Sequence, residues 1–396
     1  TLPSSSRQPV PDRLSSLLST LMADAGQHSL LCAVLRFVRD RGMAVAPRQA
    51  AALLGGHIRR GYDELVLGVM DERAAAALAD HPKWGVYARR AALCGGPFDR
   101  DAWDDGDCLG RLFCYRRLRA QDPRLSREFL TPETLRKQAA DRRAEFVWAI
   151  GTGLSPADEP LLEKALEDSK ENVRKAATVM LCRLDGSALV RQAEDAVRRH
   201  VTVERGPMRQ TRIACTPLEP GEIDARYRLD ASLGVPRQFE PTAGRLMKAM
   251  ICVPTGRWKG LIGITASEML QAQAAYDGEP MDLEWTLGRA AWNWHDAALA
   301  AELFARDPTN VEMVALMEER RREEIILDAL ESGDTPRISD MARHMPEAWT
   351  PRLSLAAART IARHAPTGRS QTASAHQARA KKNGAAILAS HPTACA

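Results

Sequence analysis

Aromatic residues are scarce in this chain of 396 residues, at 5% of the total. No apolar run approaches the roughly 18 residues that a transmembrane helix needs. The N-terminus also lacks the basic-then-apolar layout of a secretory signal. Few aromatics and abundant alanine disfavour β-sandwiches and favour closely packed helices. We therefore expect a helical protein that does not cross a membrane.

Paired cysteine spacings are missing as well. The eight cysteines form no CxxC motif, and the spacing of Cys108 and Cys114 suits neither a zinc knuckle nor a redox pair. A chain of this length can bury a sizeable core, so it needs no disulfide framework. We expect reduced cysteines and a cytoplasmic location.

The sequence carries none of the common catalytic or cofactor motifs. It has no GxxxxGK[ST] phosphate loop, no GxGxxG after a strand pattern, no HExxH and no GxSxG. The acidic loop Asp101–Asp107 resembles a calcium loop, but Trp103 falls at a ligand position and Leu112 falls where a bidentate Glu is required. A solvated loop that caps the following helix explains it better. We predict no catalytic residue, no cofactor and no metal site.

Charge is nearly balanced along most of the chain. The totals are 55 Lys and Arg against 51 Asp and Glu, and the segment 365–396 contains four bases and no acid. Residues 1–364 are therefore formally neutral. Nucleic-acid-binding domains usually carry a net positive charge on one face. We expect nucleic acid to bind weakly at most, through the basic tail.

A helical hairpin is the clearest pattern that the sequence contains. In its second helix the apolar residues follow the spacing of one buried stripe: Val173, Ala176, Ala177, Met180, Leu181 and Leu184. The first helix repeats this over a shorter length, at Leu161, Leu162, Ala165 and Leu166. A polar turn, 168–172, joins them. This layout is similar to a HEAT repeat and predicts an all-α, HEAT-like α-solenoid of stacked hairpins.

Composition divides the chain into six regions. Helical periodicity is lost between residues 202 and 240, where prolines, glycines and short Thr/Ile/Val clusters indicate an irregular insertion with, at most, a short β-hairpin. Helical patterns then resume and include a capping box at Thr265 and Glu268. We predict a disordered N-terminus at 1–13, an N-terminal helical region at 14–135, a HEAT-like region at 136–201, the insertion at 202–240, a C-terminal helical region at 241–364 and a low-complexity tail at 365–396.

Four residues are candidates for repeat stacking or partner contact. Asp168 and Arg174 flank the hairpin turn, where such a pair can tie neighbouring repeats together or meet a partner. Trp292 and Trp294 precede His295 and Asp296. Trp285, Trp292 and Leu299 recur every seven residues, which favours one stripe packed into the core of a helix over 283–306; a ligand pocket is the alternative.

Several segments resemble a bacterial family of α-helical, HEAT-like proteins of unknown function. The matching segments are 117–123, 154–160, 173–177, 186–189, 253–258, 292–297 and 349–354. Two departures stand out: Thr255 lies where the family has a second proline, and Asp230 is followed by Ala231 in place of the usual glycine.

The resemblance implies a function as well as a fold. Members are often encoded beside a SWIM-type zinc-finger protein, a MoxR-type AAA ATPase and von Willebrand A-domain proteins. We therefore expect a non-enzymatic scaffold or adaptor that mediates protein–protein interaction, with the ATPase or a von Willebrand A-domain protein as its partner. The alternative is a HEAT-like nucleic-acid-binding protein or a DNA glycosylase-like enzyme, which a basic concave face would favour.

Overall fold

The protein is mostly helical. The computed structural model describes residues 6–23, 28–56, 63–95, 98, 100–206, 210–234, 243–332 and 350–364. Helix accounts for 67% of this structure and strand for 7%. Two compact units are present: residues 100–317 form one, and residues 1–99 together with 318–396 form the other. Within the described parts, no helix is both long and apolar enough for a membrane crossing.

The unit formed by residues 1–99 and 318–396 contains helices from both ends of the chain. Strand β1 (Gln8–Pro9) pairs in parallel with β2 (Met43–Ala44). The described residues before position 96 form six helices: α1 (Asp12–Ala23), α2 (His28–Asp40), α3 (Pro47–Gly56), α4 (Asp63–Gly68), α5 (Glu72–Leu78) and α6 (Gly85–Gly95). Within the predicted disordered segment 1–13, residues 8–9 are thus paired and a helix begins at Asp12. The tail, residues 365–396, lies outside the described residues.

The unit formed by residues 100–317 has helices and strands in the following order: α7 (Arg100–Asp105), α8 (Cys108–Gln121), α9 (Pro123–Phe129), α10 (Pro132–Lys137), α11 (Arg143–Ala149), α12 (Glu159–Ala165), α13 (Glu171–Cys182), α14 (Ala188–His200), β3 (Val201–Arg205), β4 (Thr211–Cys215), α15 (Leu229–Ser232), α16 (Gly244–Cys252), α17 (Trp258–Ile262), α18 (Ala266–Gln271), β5 (Gln273–Tyr276), β6 (Glu279–Met281), α19 (Glu284–Trp294) and α20 (Ala297–Arg306). Among the described residues after position 317, helices α21 (Glu319–Ser332) and α22 (Pro351–His364) belong to the unit that also contains residues 1–99.

Side-chain caps explain where several of these helices begin. Asp107 accepts a hydrogen bond from Gly110 N at 2.8 Å, so the acidic loop does cap α8. The predicted capping box at α18 is confirmed: Thr265 accepts from Glu268 N, and the Glu268 carboxylate accepts from Thr265 N. Each cap satisfies backbone N–H groups that have no partner inside their helix.

The apolar stripe predicted for residues 173–184 forms the buried face of α13 and continues to Leu184, just after the helix ends. All six of its residues are at most 3% exposed. In the preceding helix, Leu162 and Ala165 are buried too, whereas Leu161 is half-exposed. Helix α13 packs against α11 and α12; further along the chain α14 packs on α16, α16 on α19, and α19 on α20.

A four-stranded sheet corrects the all-α prediction. Strands β3 and β4 form an antiparallel hairpin within the predicted insertion, with Val201 opposite Cys215. Strand β4 also pairs in parallel with β5, and β5 pairs antiparallel with β6. The last two strands lie in a region predicted to be helical. They are four and three residues long, respectively, and so too short to show an alternating pattern in sequence.

Candidate functional site

The turn between α12 and α13 is held by an ion pair that the sequence only half predicted. The Asp168 carboxylate accepts from Arg143 Nε at 2.8 Å and from Arg143 Nη2 at 2.9 Å. This is a bidentate contact between the start of α11 and the hairpin turn. The predicted partner, Arg174, instead donates from Nη1 to the Asp168 backbone carbonyl at 2.6 Å. The turn between α12 and α13 is thereby attached to α11.

The environment of Asp168 keeps it ionised. Burial acts to raise its pKa, but hydrogen bonds from Arg143 and from the Lys170 backbone amide outweigh that effect, so the pKa lies below its usual value. Both side chains of the Asp168–Arg143 pair are largely buried, at 7% and 11% exposed. A charged, hydrogen-bonded aspartate at this point aligns the turn between α12 and α13.

A small groove lies beside this turn, between α10 and α12. Its volume is about 60 Å³. We call it the Asp168 groove; its lining includes an apolar floor and a charged rim, formed by Leu135, Leu161, Ala165, Arg136, Lys164 and Glu167, and Asp168 lies at its edge. On the rim Lys164 Nζ pairs with the Glu167 carboxylate at 2.5 Å. The hydrogen bond from Lys164 lowers the pKa of Glu167, and the charge of the exposed Arg136 acts in the same direction.

A buried ionic cluster, which the sequence did not reveal, holds α8, α9 and the loop before α12 together. Arg119 is fully buried, and its Nη1 and Nη2 donate to the Asp158 carboxylate at 3.0 and 2.6 Å. Asp158 is 2% exposed and also accepts from Arg127 Nε at 2.9 Å. Arg119 donates in addition to the backbone carbonyls of residues 123, 150, 152 and 153. We call this set the Arg119–Asp158 cluster.

The Arg119–Asp158 cluster is built for structure. Burial acts to raise the pKa of Asp158, but hydrogen bonds from Arg119 and Arg127 more than offset it, and the pKa is lowered. Every oxygen of the carboxylate already accepts from a protein donor. Such an aspartate has no free position for general acid or base chemistry. Both of its principal residues fall in segments that carry the family resemblance.

Both tryptophans of the second candidate site lie in the last turn of α19. Trp294 is half-buried and donates from Nε1 to the Ile251 carbonyl at 3.2 Å. Trp292 is half-buried too. Between them Asn293, 6% exposed, donates to the carbonyls of Cys182 and Ile251. Asn293 therefore connects α19 to the ends of α13 and α16, and sequence analysis missed it.

The predicted single stripe across 283–306 does not exist as one helix. His295 adopts the left-handed conformation, φ 52°, and ends α19. Asp296 then caps α20 by accepting from Leu299 N at 3.0 Å. Leu299 consequently belongs to a different helix from Trp285 and Trp292. The seven-residue spacing that favoured a common core face therefore runs across the end of α19 and the start of α20.

Comparison with known proteins identifies a family and nothing finer. A sequence model of a family of unknown function, DUF5691, matches residues 2–394. Neither the search of curated proteins nor the search of solved structures found a match. Because the match covers nearly the whole chain, this protein belongs to the DUF5691 family, a family of unknown function.

Proposed function

We propose that this chain is a non-enzymatic, HEAT-like helical-repeat scaffold or adaptor that binds a protein segment in the Asp168 groove. The observation that carries the proposal is the groove itself, with apolar residues in its floor and charges on its rim, placed beside the ion-paired repeat turn. A buried apolar centre with a polar rim is the usual anatomy of a protein interface. Repeat proteins commonly bind partners along such repeated surfaces.

The packing order within residues 100–317 supports the repeat architecture. In a solenoid each hairpin contacts mainly its neighbours along the chain. The series α11 on α13, α14 on α16, α16 on α19 and α19 on α20 follows that rule. The β3–β4 hairpin of the four-stranded sheet begins at the boundary of the predicted insertion and lies almost entirely within it, whereas β5 and β6 lie further along the chain.

The groove chemistry suggests what the partner contributes. The floor residues Leu135 and Ala165 are buried and Leu161 is half-exposed, so one apolar side chain of a partner fits there. Lys164 already pairs with Glu167, which leaves Arg136 as the rim cation for an acidic residue of the partner. The family resemblance suggests a MoxR-type AAA ATPase or a von Willebrand A-domain protein as that partner. The proposal includes a cytoplasmic location, which the unpaired cysteine spacing supports.

Co-purification with groove variants tests the proposal. Tagged full-length chain would be isolated from its host cells, and the ATPase and von Willebrand A-domain proteins would be quantified by mass spectrometry. Leu161→Glu and Arg136→Glu should each reduce recovery of the partner about tenfold or more, as truncation of interface hot spots does. Arg198→Glu is the matched control, since Arg198 is exposed and lies on α14 outside the groove. Equal recovery with all three variants would contradict the groove as the interface.

DNA binding separates this proposal from the nucleic-acid alternative. The uncompensated charges in the sequence are the four bases of the tail, so the salt slope should be at most about −4. Deleting 365–396 should abolish binding to duplex DNA. Sub-micromolar binding by the truncated chain at physiological salt would favour the nucleic-acid function.

A further inference from the structure

Two buried cysteine thiols contact each other inside the unit formed by residues 100–317. Cys182 is the last residue of α13, and Cys252 is the last residue of α16. Both residues are fully buried, and their Sγ atoms lie 2.8 Å apart although the residues are 70 positions apart in the sequence. Non-bonded carbon atoms prefer a separation of about 3.5–4.0 Å, and sulfur is the larger atom. The two sulfurs therefore lie between non-bonded contact and the roughly 2.05 Å of a disulfide bond.

The end of α19 holds the two cysteine-bearing helices side by side. Asn293 Nδ2 donates to the Cys182 carbonyl at 3.0 Å and to the Ile251 carbonyl at 3.3 Å. Trp294 Nε1 donates to the same Ile251 carbonyl at 3.2 Å. Both carbonyls belong to the last turns of α13 and α16, where the backbone has no acceptor-filling partner inside its own helix. The backbone on both sides is thus fixed, and with it the approach of the two thiols.

The chemistry around the pair favours a disulfide over a metal site. A structural metal site needs further His, Cys, Asp or Glu ligands, and among the residues that the structure describes no group of three or more such side chains could hold a metal ion. Burial, and then the hydrogen bond and charge of Cys182, raise the pKa of Cys252 well above its usual value. The reactive thiolate is therefore scarce while the unit is closed. Oxidation then proceeds through local opening of the helix ends, and closure returns the two sulfurs to contact.

We propose that hydrogen peroxide oxidises Cys182 and Cys252 to a disulfide bond that staples α13 to α16. In the first step one thiolate attacks a peroxide oxygen: the O–O bond breaks, a sulfenic acid forms, and the leaving hydroxide takes up a proton to give water. In the second step the other thiolate attacks the sulfenic sulfur: the S–S bond forms, the S–O bond breaks, and a second water leaves. The two thiols together lose two electrons and two protons, and one peroxide molecule is reduced to two water molecules.

The staple joins parts of the unit that are distant in sequence. It connects the helical hairpin α12–α13 to α16, which follows the β3–β4 hairpin along the chain. A disulfide stabilises mainly by restricting the unfolded chain, and more so when the closed loop is long. In the reducing compartment proposed above, both residues are thiols at rest, and the bond forms only when oxidant is present. The unit therefore becomes more stable under oxidising conditions, independently of binding in the Asp168 groove.

Peptide mapping of the full-length chain tests the proposed bond. Protein purified in a reducing agent would be treated with hydrogen peroxide, blocked with iodoacetamide in denaturant and digested without reduction. A second arm would add the peroxide in mild denaturant, which raises the population of opened chains, before dilution. Mass spectrometry should find the peptides of Cys182 and Cys252 joined, with two hydrogen atoms fewer than the separate peptides, and the joined species should form faster in the second arm. A reducing agent should separate them again.

Thermal unfolding provides the second measurement. The oxidised wild type should melt roughly 4–16 °C above the reduced protein, and reduction should remove the difference. Cys182→Ser and Cys252→Ser should show no such shift, whereas Cys108→Ser, the matched control at the start of α8, should keep it. If a serine variant fails to fold, the wild-type peptide map and melting shift still decide. The proposal is overturned if the joined peptides form in neither arm, if the bond leaves the melting temperature unchanged or lowers it, or if either serine variant shifts as the wild type does.

Discussion

Replacing Asp158 with asparagine should destabilise residues 100–317 severely, although the two side chains have nearly the same shape. The carboxylate accepts from Arg119 at 2.6 and 3.0 Å and from Arg127 at 2.9 Å. In Asp158→Asn one of these oxygens becomes an NH2 group that faces donors. Arg119 is fully buried and cannot turn to water, whereas Arg127 is 25% exposed.

The expected magnitude follows from what remains around Arg119. Four backbone carbonyls still accept its N–H groups, but none neutralises its charge. Removing one partner of a buried ion pair costs roughly 3–5 kcal/mol, and the remaining carbonyls place this variant near the lower end. For a unit of this size, about 3 kcal/mol corresponds to a melting temperature lower by about 6–12 °C.

Thermal unfolding followed by far-UV circular dichroism measures this effect, with Asp195→Asn as the matched control. Asp195 pairs with Arg198 at the surface, where the side chains are 60% and 53% exposed, so its loss should cost under about 1 kcal/mol. The folded pKa of Asp158 is depressed, so its contribution is complete above the unfolded pKa of about 4 and is lost as the pH falls through the folded value. The difference between wild type and Asp158→Asn should therefore shrink in acid. Equal melting of the two asparagine variants at pH 7 would refute the reasoning.

Local patterns predicted local structure well. The stripe from Val173 to Leu181 is buried as a single face of α13, with Leu184 buried just beyond the helix end, and Thr265 with Glu268 forms the capping box. Both depend on residues within a few positions of one another, which fixed helix geometry brings together. The hairpin β3–β4 was also anticipated as an option, because its strands are close in sequence.

Long-range pairing left no comparable mark in the sequence. Arg119 and Asp158 are 39 positions apart, and Arg143 and Asp168 are 25 apart. Charged residues are mostly exposed, so nothing distinguishes the few that are buried from the 55 bases in the chain. The sequence therefore does not indicate Arg143, and it favours Arg174 as the partner of Asp168 because Arg174 lies close to it along the chain. The parallel pairing of β4 with β5 is hidden for the same reason.

The end of α19 could have been predicted from the sequence. Helix α19 ends at His295 without a glycine, and the continuous spacing of apolar residues concealed the break. Histidine, asparagine and aspartate adopt the left-handed conformation more readily than other side chains do. Aspartate is also a preferred N-cap, as Asp296 is here for α20. The dipeptide His295-Asp296 thus indicated a helix end followed by a new start.

Three further predictions concern the same unit. Val173→Asp should cost roughly 3 kcal/mol or more in the free energy of unfolding, since Val173 is fully buried. Arg174→Ala, which loses one hydrogen bond to a carbonyl, should cost about 1 kcal/mol. Similar melting temperatures for the two variants would show that the stripe is exposed. Cys252 should resist a thiol reagent in the folded protein and react on unfolding, because burial raises its pKa well above the usual value; stoichiometric labelling of native protein at Cys252, mapped by mass spectrometry, would contradict this. In an alkaline absorbance titration, Tyr115 and Tyr227 should ionise near pH 12, since burial raises the pKa of each to about 12. An unfolded tyrosine ionises near pH 10, so the stability that these two phenols contribute is complete below pH ~10 and is lost as the pH rises towards 12. Replacing either tyrosine with phenylalanine should remove one late-titrating phenol, and an unchanged late phase would show that the assignment to these residues is wrong.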